Sequence, residues 1–238
     1  MKVIVALCGY RPIERLTHWC VSQLLRCPEP EFQETAMKPI AGPDVYRSLA
    51  ATLFLKSEEF DAILFVDDDV IFDPRDIQKL SQHIKDGKDI VGACYATKGD
   101  DPQIASRFYD GQTIEFNEQA KPVEIMYLNG GCIMASRKVF EKLSNKLDFC
   151  NSKEKTGFYP FFMPYVKRNS NGLFKKYTEY LTEDFAFCDR AKDSGFKIWL
   201  DPSIRLAHIG DKIFRLESIF QTKEENMDNI KLTKTTVV

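Results

Sequence analysis

Four short stretches of the chain are apolar nearly throughout rather than at every second position: residues 3–7, 62–66, 90–95 and 132–135. A strand with one wet face alternates, whereas a strand covered on both faces does not, so these runs predict central strands of a sheet flanked by helices. Between them the apolar spacing lengthens to three and four. A helix is predicted after the break at residues 8–12 and runs through Leu25. Another spans Asp44 to Lys56, with Val45, Leu49, Thr52, Leu53 and Leu55 favouring one side. Asp73-Pro74 opens a third as N-cap and first-turn proline, ending near Gly87. Ser136 caps a helix through Leu143, and Thr182 caps one from Glu183 to Ser194, closed by Gly195. Strand, helix, strand, helix, strand is the order that builds a mostly parallel sheet.

Elsewhere the pattern is weaker. Residues 27–43 carry four prolines and three early glutamates, and read as a loop with room for one short strand. Residues 104–116 and 123–128 read as shorter strands, turned at Asp110-Gly111 and Lys121-Pro122. Short strands are also expected at 197–200 and 205–208. Residues 150–180 lack a period and read as a long functional loop, with Phe158 to Phe162 either core packing or a lid whose aromatic faces stack on a ligand. The division expected is a single domain over 1–221, with halves at 1–100 and 101–221, then a polar tail from 222 to 238.

Composition narrows the class little further. A formal charge of −2 gives no reason to expect a nucleic-acid partner. The seven cysteines are odd in number, scattered and mostly inside apolar stretches, so they read as free thiols in a cytoplasmic protein. No run approaches the ~20 apolar residues of a membrane span.

The chemistry concentrates at three places. Asp67-Asp68-Asp69 ends the second apolar run, at the sheet edge where open α/β folds bind ligands. Burying unpaired carboxylates costs several kcal/mol. Hard oxygen ligands of this kind suit Mg2+ or Mn2+ beside a phosphate. On an extended strand end, alternate residues Asp67 and Asp69 address one ligand while Asp68 faces away. Glu183 and Asp184 open a helix, where an ionised carboxylate can take a proton. His208 ends a short strand and can complete a Mn2+ site. Taken singly, each has an ordinary reading: a solvated turn, first-turn helix acids, a core histidine. His18 and His83 fall on helix surfaces and are given no role.

The order of these blocks resembles the GT-A glycosyltransferases, in particular family-2-like members: ILFVDDDVIFDP, then NGGCIMASRKVFEKL, then TEDFAFCDRAKDSGFKIWLDPSIRLAHIG. The resemblance covers about residues 2–215 and implies a nucleotide-binding half (1–100) and an acceptor or catalytic half (101–221). It implies an α/β/α sandwich, Rossmann-like with a mixed central sheet, and a metal-dependent transfer from a UDP- or GDP-sugar to a glycan, protein or small-molecule hydroxyl. By resemblance, Asp67, Asp69 and His208 hold Mn2+ or Mg2+. Tyr10, Arg11, Arg47, Asp67, Asp68, Gly130 and Gly131 bind the donor, the glycines by letting the backbone approach its sugar. Asp184 is the base of an inverting reaction, and Glu183 orients the acceptor. The resemblance departs at residues 28–43, where no glutamate matches the family's second-strand nucleotide contact, so the base is not named. Two other classes fit parts of the pattern: a haloacid-dehalogenase-like Mg-dependent phosphohydrolase, whose nucleophile would be Asp67, and a non-catalytic sugar-nucleotide-binding module.

Overall fold

The computed structural model describes residues 1–9, 12–35, 42–151, 157–171, 175–217, 219 and 230–232. The first half runs β1 (Lys2–Cys8), α1 (Arg15–Leu24), β2 (Glu31–Glu34), α2 (Pro43–Lys56), β3 (Ala62–Asp67), β4 (Val70–Ile71), α3 (Pro74–Lys85) and β5 (Ile90–Gly92). The middle holds β6 (Ile114–Phe116), β7 (Val123–Glu124), β8 (Cys132–Ser136), α4 (Arg137–Ser144), β9 (Cys150–Asn151) and β10 (Gly157–Phe158). A hairpin of β11 (Tyr165–Asn171) and β12 (Lys175–Leu181) leads into α5 (Glu183–Asp193). The chain continues through β13 (Trp199–Leu200), β14 (Ala207–Ile209), β15 (Ile213–Arg215) and β16 (Ile230–Leu232).

Seven strands form the central sheet in the order β2-β1-β3-β8-β5-β13-β7. Pairs β1–β2, β1–β3 and β5–β13 are parallel; β3–β8, β5–β8 and β7–β13 are antiparallel. The sheet is therefore mixed, as the family resemblance implies, and less parallel than the local strand-helix alternation predicts. The reason is β8, which enters between β3 and β5 against both. No helix among the described residues is long and apolar enough to cross a membrane.

The unbroken apolar runs have a direct structural cause. In β3, Ala62, Leu64 and Val66 face one core while Ile63 and Phe65 face the other. In β8, Cys132 and Met134 divide from Ile133 and Ala135 in the same way. Residues of α1 and α3, including Cys20, Leu24, Ile77 and Leu80, close the first core. Residues of α2, α4 and α5 close the second, where Phe140 packs among Phe54, Phe65, Phe161 and Phe187 with ring centroids 5.1–6.3 Å apart.

Several expectations need correction. Of Val45, Leu49, Thr52, Leu53 and Leu55, expected on one side of α2, Leu49 and Thr52 are buried but Leu53 is exposed, and Tyr46, Ala50, Ala51 and Phe54 are buried as well. This helix touches the sheet, α4, α5 and β10, so a single stripe cannot describe it. Residues 150–180, predicted as a loop, hold four strands. Tyr165 and Lys167 of β11 both reach Asp189 of α5; a lysine in an inward position hides the period-two signal. His83 is not a bare surface residue, since its Nε2 lies 2.8 Å from the buried Asp201 carboxylate. Of the expected tail, the described residues 230–232 form β16, parallel to β6. Gly195 ends α5 at φ +86, a conformation that favours glycine.

Candidate functional site

A cavity of about 290 Å3 opens at the C-terminal ends of β1 and β3, and Asp67, Asp68 and Asp69 all line it. The alternation expected to turn Asp68 away is absent, because β3 ends at Asp67 and the next two residues form a turn into β4. In that turn Asp68 N–H donates to Cys8 O at 2.8 Å. The Asp68 carboxylate sits so close to Gly9 that a Cβ there would lie 1.7 Å from its oxygen.

Strand β4 then pairs antiparallel with β14, setting His208 opposite Val70. Ile209 N–H donates to Asp69 O at 2.8 Å. This pairing crosses 139 residues and puts His208 Nε2 3.1 Å from Asp69 Oδ1. The other Asp69 oxygen accepts from Lys98 Nζ. Burial pushes the Asp69 carboxyl up, but His208 and Lys98 outweigh it and hold it below its ordinary value.

On the opposite side, α2 delivers Arg47, only 2% exposed. Its Nη2 donates to Asp67 Oδ1 at 2.5 Å and its Nη1 to Glu183 Oε1 at 2.9 Å. Burial would lower its proton affinity, yet Asp67, Cys8 and Glu183 raise it well above the usual value. One buried cation thus joins the strand-end acid to the helix-start acid. Glu183 is itself shifted up, by burial first and then by the neighbouring Asp184, with Arg47 opposing. At the end of β1, burial pushes the Cys8 thiol up to about 12.

The two helix-start acids point to different places. Glu183 lines the cavity. Asp184 is fixed by three donors: Gly130 N–H at 3.0 Å to one oxygen, and Thr182 Oγ1 at 2.7 Å and Phe185 N–H at 2.8 Å to the other. Thr182 therefore occupies the cap position but spends its hydroxyl on Asp184 rather than on the helix backbone. The glycine pair before β8 makes close approaches within the chain. A Cβ at Gly130 would meet the Arg47 guanidinium at 2.6 Å, and one at Gly131 the Tyr95 ring at 2.4 Å. Tyr95 is buried against His208, with ring centroids 4.6 Å apart.

The site thus gathers Arg47, Asp67, Asp68, Asp69, Glu183 and His208 round one cavity, with Gly130, Gly131 and Asp184 behind it. Tyr10 and Arg11 lie outside the described residues. Pattern reading missed Lys98 and Tyr95: a lone lysine in a turn and a tyrosine in an apolar run carry no periodic signal.

Among the described residues, no group of three or more His, Cys, Asp or Glu side chains converges in a way that could hold a metal ion. Asp69 and His208 do meet on one point, and a carboxylate beside an imidazole is a donor set that fits Mn2+ when phosphate oxygens and water fill the other positions. Asp67 instead faces Arg47.

Residues 56–144, which include the aspartates and the Gly-Gly strand, match the family model described as Glycosyl transferase family 2. No curated protein sequence matches the chain. The crystal structure of A197 from STIV superposes with a TM-score of 0.55 at 16% identity, over 90% of this chain and 93% of that one. GalNAc-T7 with UDP, GalNAc and Mn2+ gives a TM-score of 0.46 at 11% identity, over 91% of this chain and 44% of that one. S. aureus TarS 1-349 gives 0.45 at 14%, over 93% and 63%. The stretch holding the strand-end aspartates is thus similar to glycosyl transferase family 2, and it sits in a mixed α/β fold that the chain shares with A197.

Proposed function

We propose that the chain moves a sugar from a UDP- or GDP-sugar to a hydroxyl of a glycan, protein or small molecule, with inversion at the anomeric carbon. The observation that carries this reading is the meeting of Asp69, His208, Arg47 and Glu183 round one cavity at the sheet edge. Asp69 and His208 would hold Mn2+ or Mg2+, which when bound supplies Lewis-acid charge to offset that developing on the leaving diphosphate. Arg47 fixes Asp67 and Glu183 relative to each other, and Asp67 and Asp68 face the donor's ribose and phosphates. Tyr10 and Arg11 follow β1, and their base-holding role rests on the family resemblance alone.

Asp184 takes the proton from the acceptor hydroxyl as that oxygen attacks the anomeric carbon. The bond to the diphosphate oxygen breaks, and its electron pair leaves with the phosphate. One observation favours a second reading, with Glu183 as base: it lines the cavity, and its proton affinity is raised by burial and by Asp184. The seven free thiols, five of them buried, support a cytoplasmic setting. The seven-stranded sheet and the β4–β14 pairing both join the two halves of the chain, which supports one domain over 1–221.

Calorimetric titration of UDP, GDP, CDP and ADP, with and without Mn2+, tests the donor class. Metal-dependent binding of one nucleotide, lost in Asp69→Ala, supports the reading; binding of none, with any divalent metal, overturns it.

A further inference from the structure

Two strong cations face the cavity, and they are held very differently. Arg47 is fixed between two carboxylates inside the fold. Lys98 stands at the rim, 34% exposed, with its ammonium on Asp69 Oδ2. Its backbone position is set by a small closed loop. Thr97 N–H donates to Gln103 O at 2.8 Å, Gln103 N–H returns to Thr97 Oγ1 at 2.9 Å, and Ala96 bridges Ile104. Gly99 follows at φ +118, turning the chain back. The alkyl stem of Lys98 crosses Gly210, where a Cβ would lie 3.2 Å from its Cδ. The glycine two residues after His208 thereby leaves room for a lysine from another loop to reach Asp69.

With Lys98 on Oδ2 and His208 at Oδ1, both oxygens of Asp69 are engaged within the chain. A divalent ion drawn to the same carboxylate meets the ammonium as a like charge, and one of them must yield. The lysine stem is flexible and its head is a compact charge, so it can turn where a bidentate arginine cannot. The diphosphate of an arriving donor is the acceptor such an ammonium would turn to.

We propose that Lys98 is a donor-binding residue that serves as the counter-cation of Asp69 and passes to the donor's diphosphate when a divalent ion takes that carboxylate. The inference rests on the nucleoside diphosphate sugar reading above. It makes two binding constants move in opposite directions. In Lys98→Met, Mn2+ alone binds the full chain several-fold more tightly, because its competitor is gone. UDP or GDP with saturating Mn2+ binds about 10- to 100-fold more weakly, the loss of one hydrogen bond to a charged group. Lys98→Arg recovers nucleotide binding in part, because the positive charge is kept.

The experiment is titration of Mn2+ alone, and of UDP and GDP with Mn2+, on the wild type, Lys98→Met and Lys98→Arg, with a melting curve for each. Opposite shifts in Lys98→Met at unchanged melting temperature support the proposal. Wild-type nucleotide binding matched by Lys98→Met overturns it and leaves the donor reading standing, as does weakening of both ligands together with a lowered melting point. Failure of the wild type to bind any nucleotide overturns the donor reading and, with it, this inference.

Discussion

Gly130→Ala should damage the site through Arg47, and the size of the effect follows from the geometry. A Cβ on residue 130 would lie 2.6 Å from Arg47 Cζ and Nη2, where carbon contacts settle at about 3.5–4.0 Å. The guanidinium must therefore withdraw by about 1 Å. It has no slack, being held at 2.5 Å by Asp67 and at 2.9 Å by Glu183. Overpacking of this kind costs about 1–3 kcal/mol. Breaking a buried ion pair outright costs about 3–5 kcal/mol. Asp67 and Glu183 each keep 24% of their side chains exposed, so water recovers part of that loss. We expect about 2–4 kcal/mol for Gly130→Ala, a fall of roughly 5–15 °C in Tm for a domain of this size. Arg47→Met should cost about 3 kcal/mol for the same reason. With the guanidinium gone, an added Gly130→Ala should cost under about 1 kcal/mol, leaving a coupling of about 1–3 kcal/mol. Urea unfolding of the four proteins, with both fluorescence and circular dichroism as probes, measures it. Additivity within about 0.5 kcal/mol would refute the account of Gly130.

The base assignment separates kinetically. With Asp184 as base, Asp184→Asn should keep nucleotide binding and lose transfer by about 100-fold or more, and Glu183→Gln should lose less; the reverse order identifies Glu183. In the buried network round Asp189, 1% exposed, the carboxylate accepts from Tyr127 at 3.0 Å, from Lys167 at 2.5 Å and from Tyr165. Asp189→Leu should therefore cost about 3–5 kcal/mol and loosen the β11–β12 hairpin, to be read by thermal melting and by hydrogen exchange over 165–181. Burial pushes the Asp189 carboxyl up, but Lys167, Tyr165 and Tyr127 outweigh it, so its folded pKa lies below the ordinary value. It stabilises the fold above the unfolded pKa of about 4, and that contribution is lost as the pH falls through the folded value. The stability gap between wild type and Asp189→Asn should accordingly narrow below about pH 4; a constant gap there contradicts this assignment.

The central strands were legible because their signal is local. A run such as 62–66 has no polar position, and only a strand covered on both faces requires that. The α3 start was legible for the same reason, since Asp73 accepts from Arg75 N–H two residues away. The aspartate triplet, Glu183-Asp184 and His208 could be named because three charged groups at element ends have few structural uses. What each faces could not be read. That Asp68 shares the cavity depends on β3 stopping at Asp67, before a two-residue turn into β4. That His208 meets Asp69 depends on β4–β14 pairing, and that Lys98 meets it depends on Gly210.

Arg47 marks the boundary most plainly. Its position on a helix followed from spacing, but its link between Asp67 and Glu183 joins residues 20 and 136 positions away. The hairpin at 165–181 shows the same limit. Its inward lysine is satisfied by Asp189 on another element, so no apolar alternation marks the strand. Local chemistry in this chain determined which segments are strands and helices and which residues are reactive. Which charges neutralise one another was decided only by tertiary structure, because Coulomb energy depends on distance in space, not along the chain.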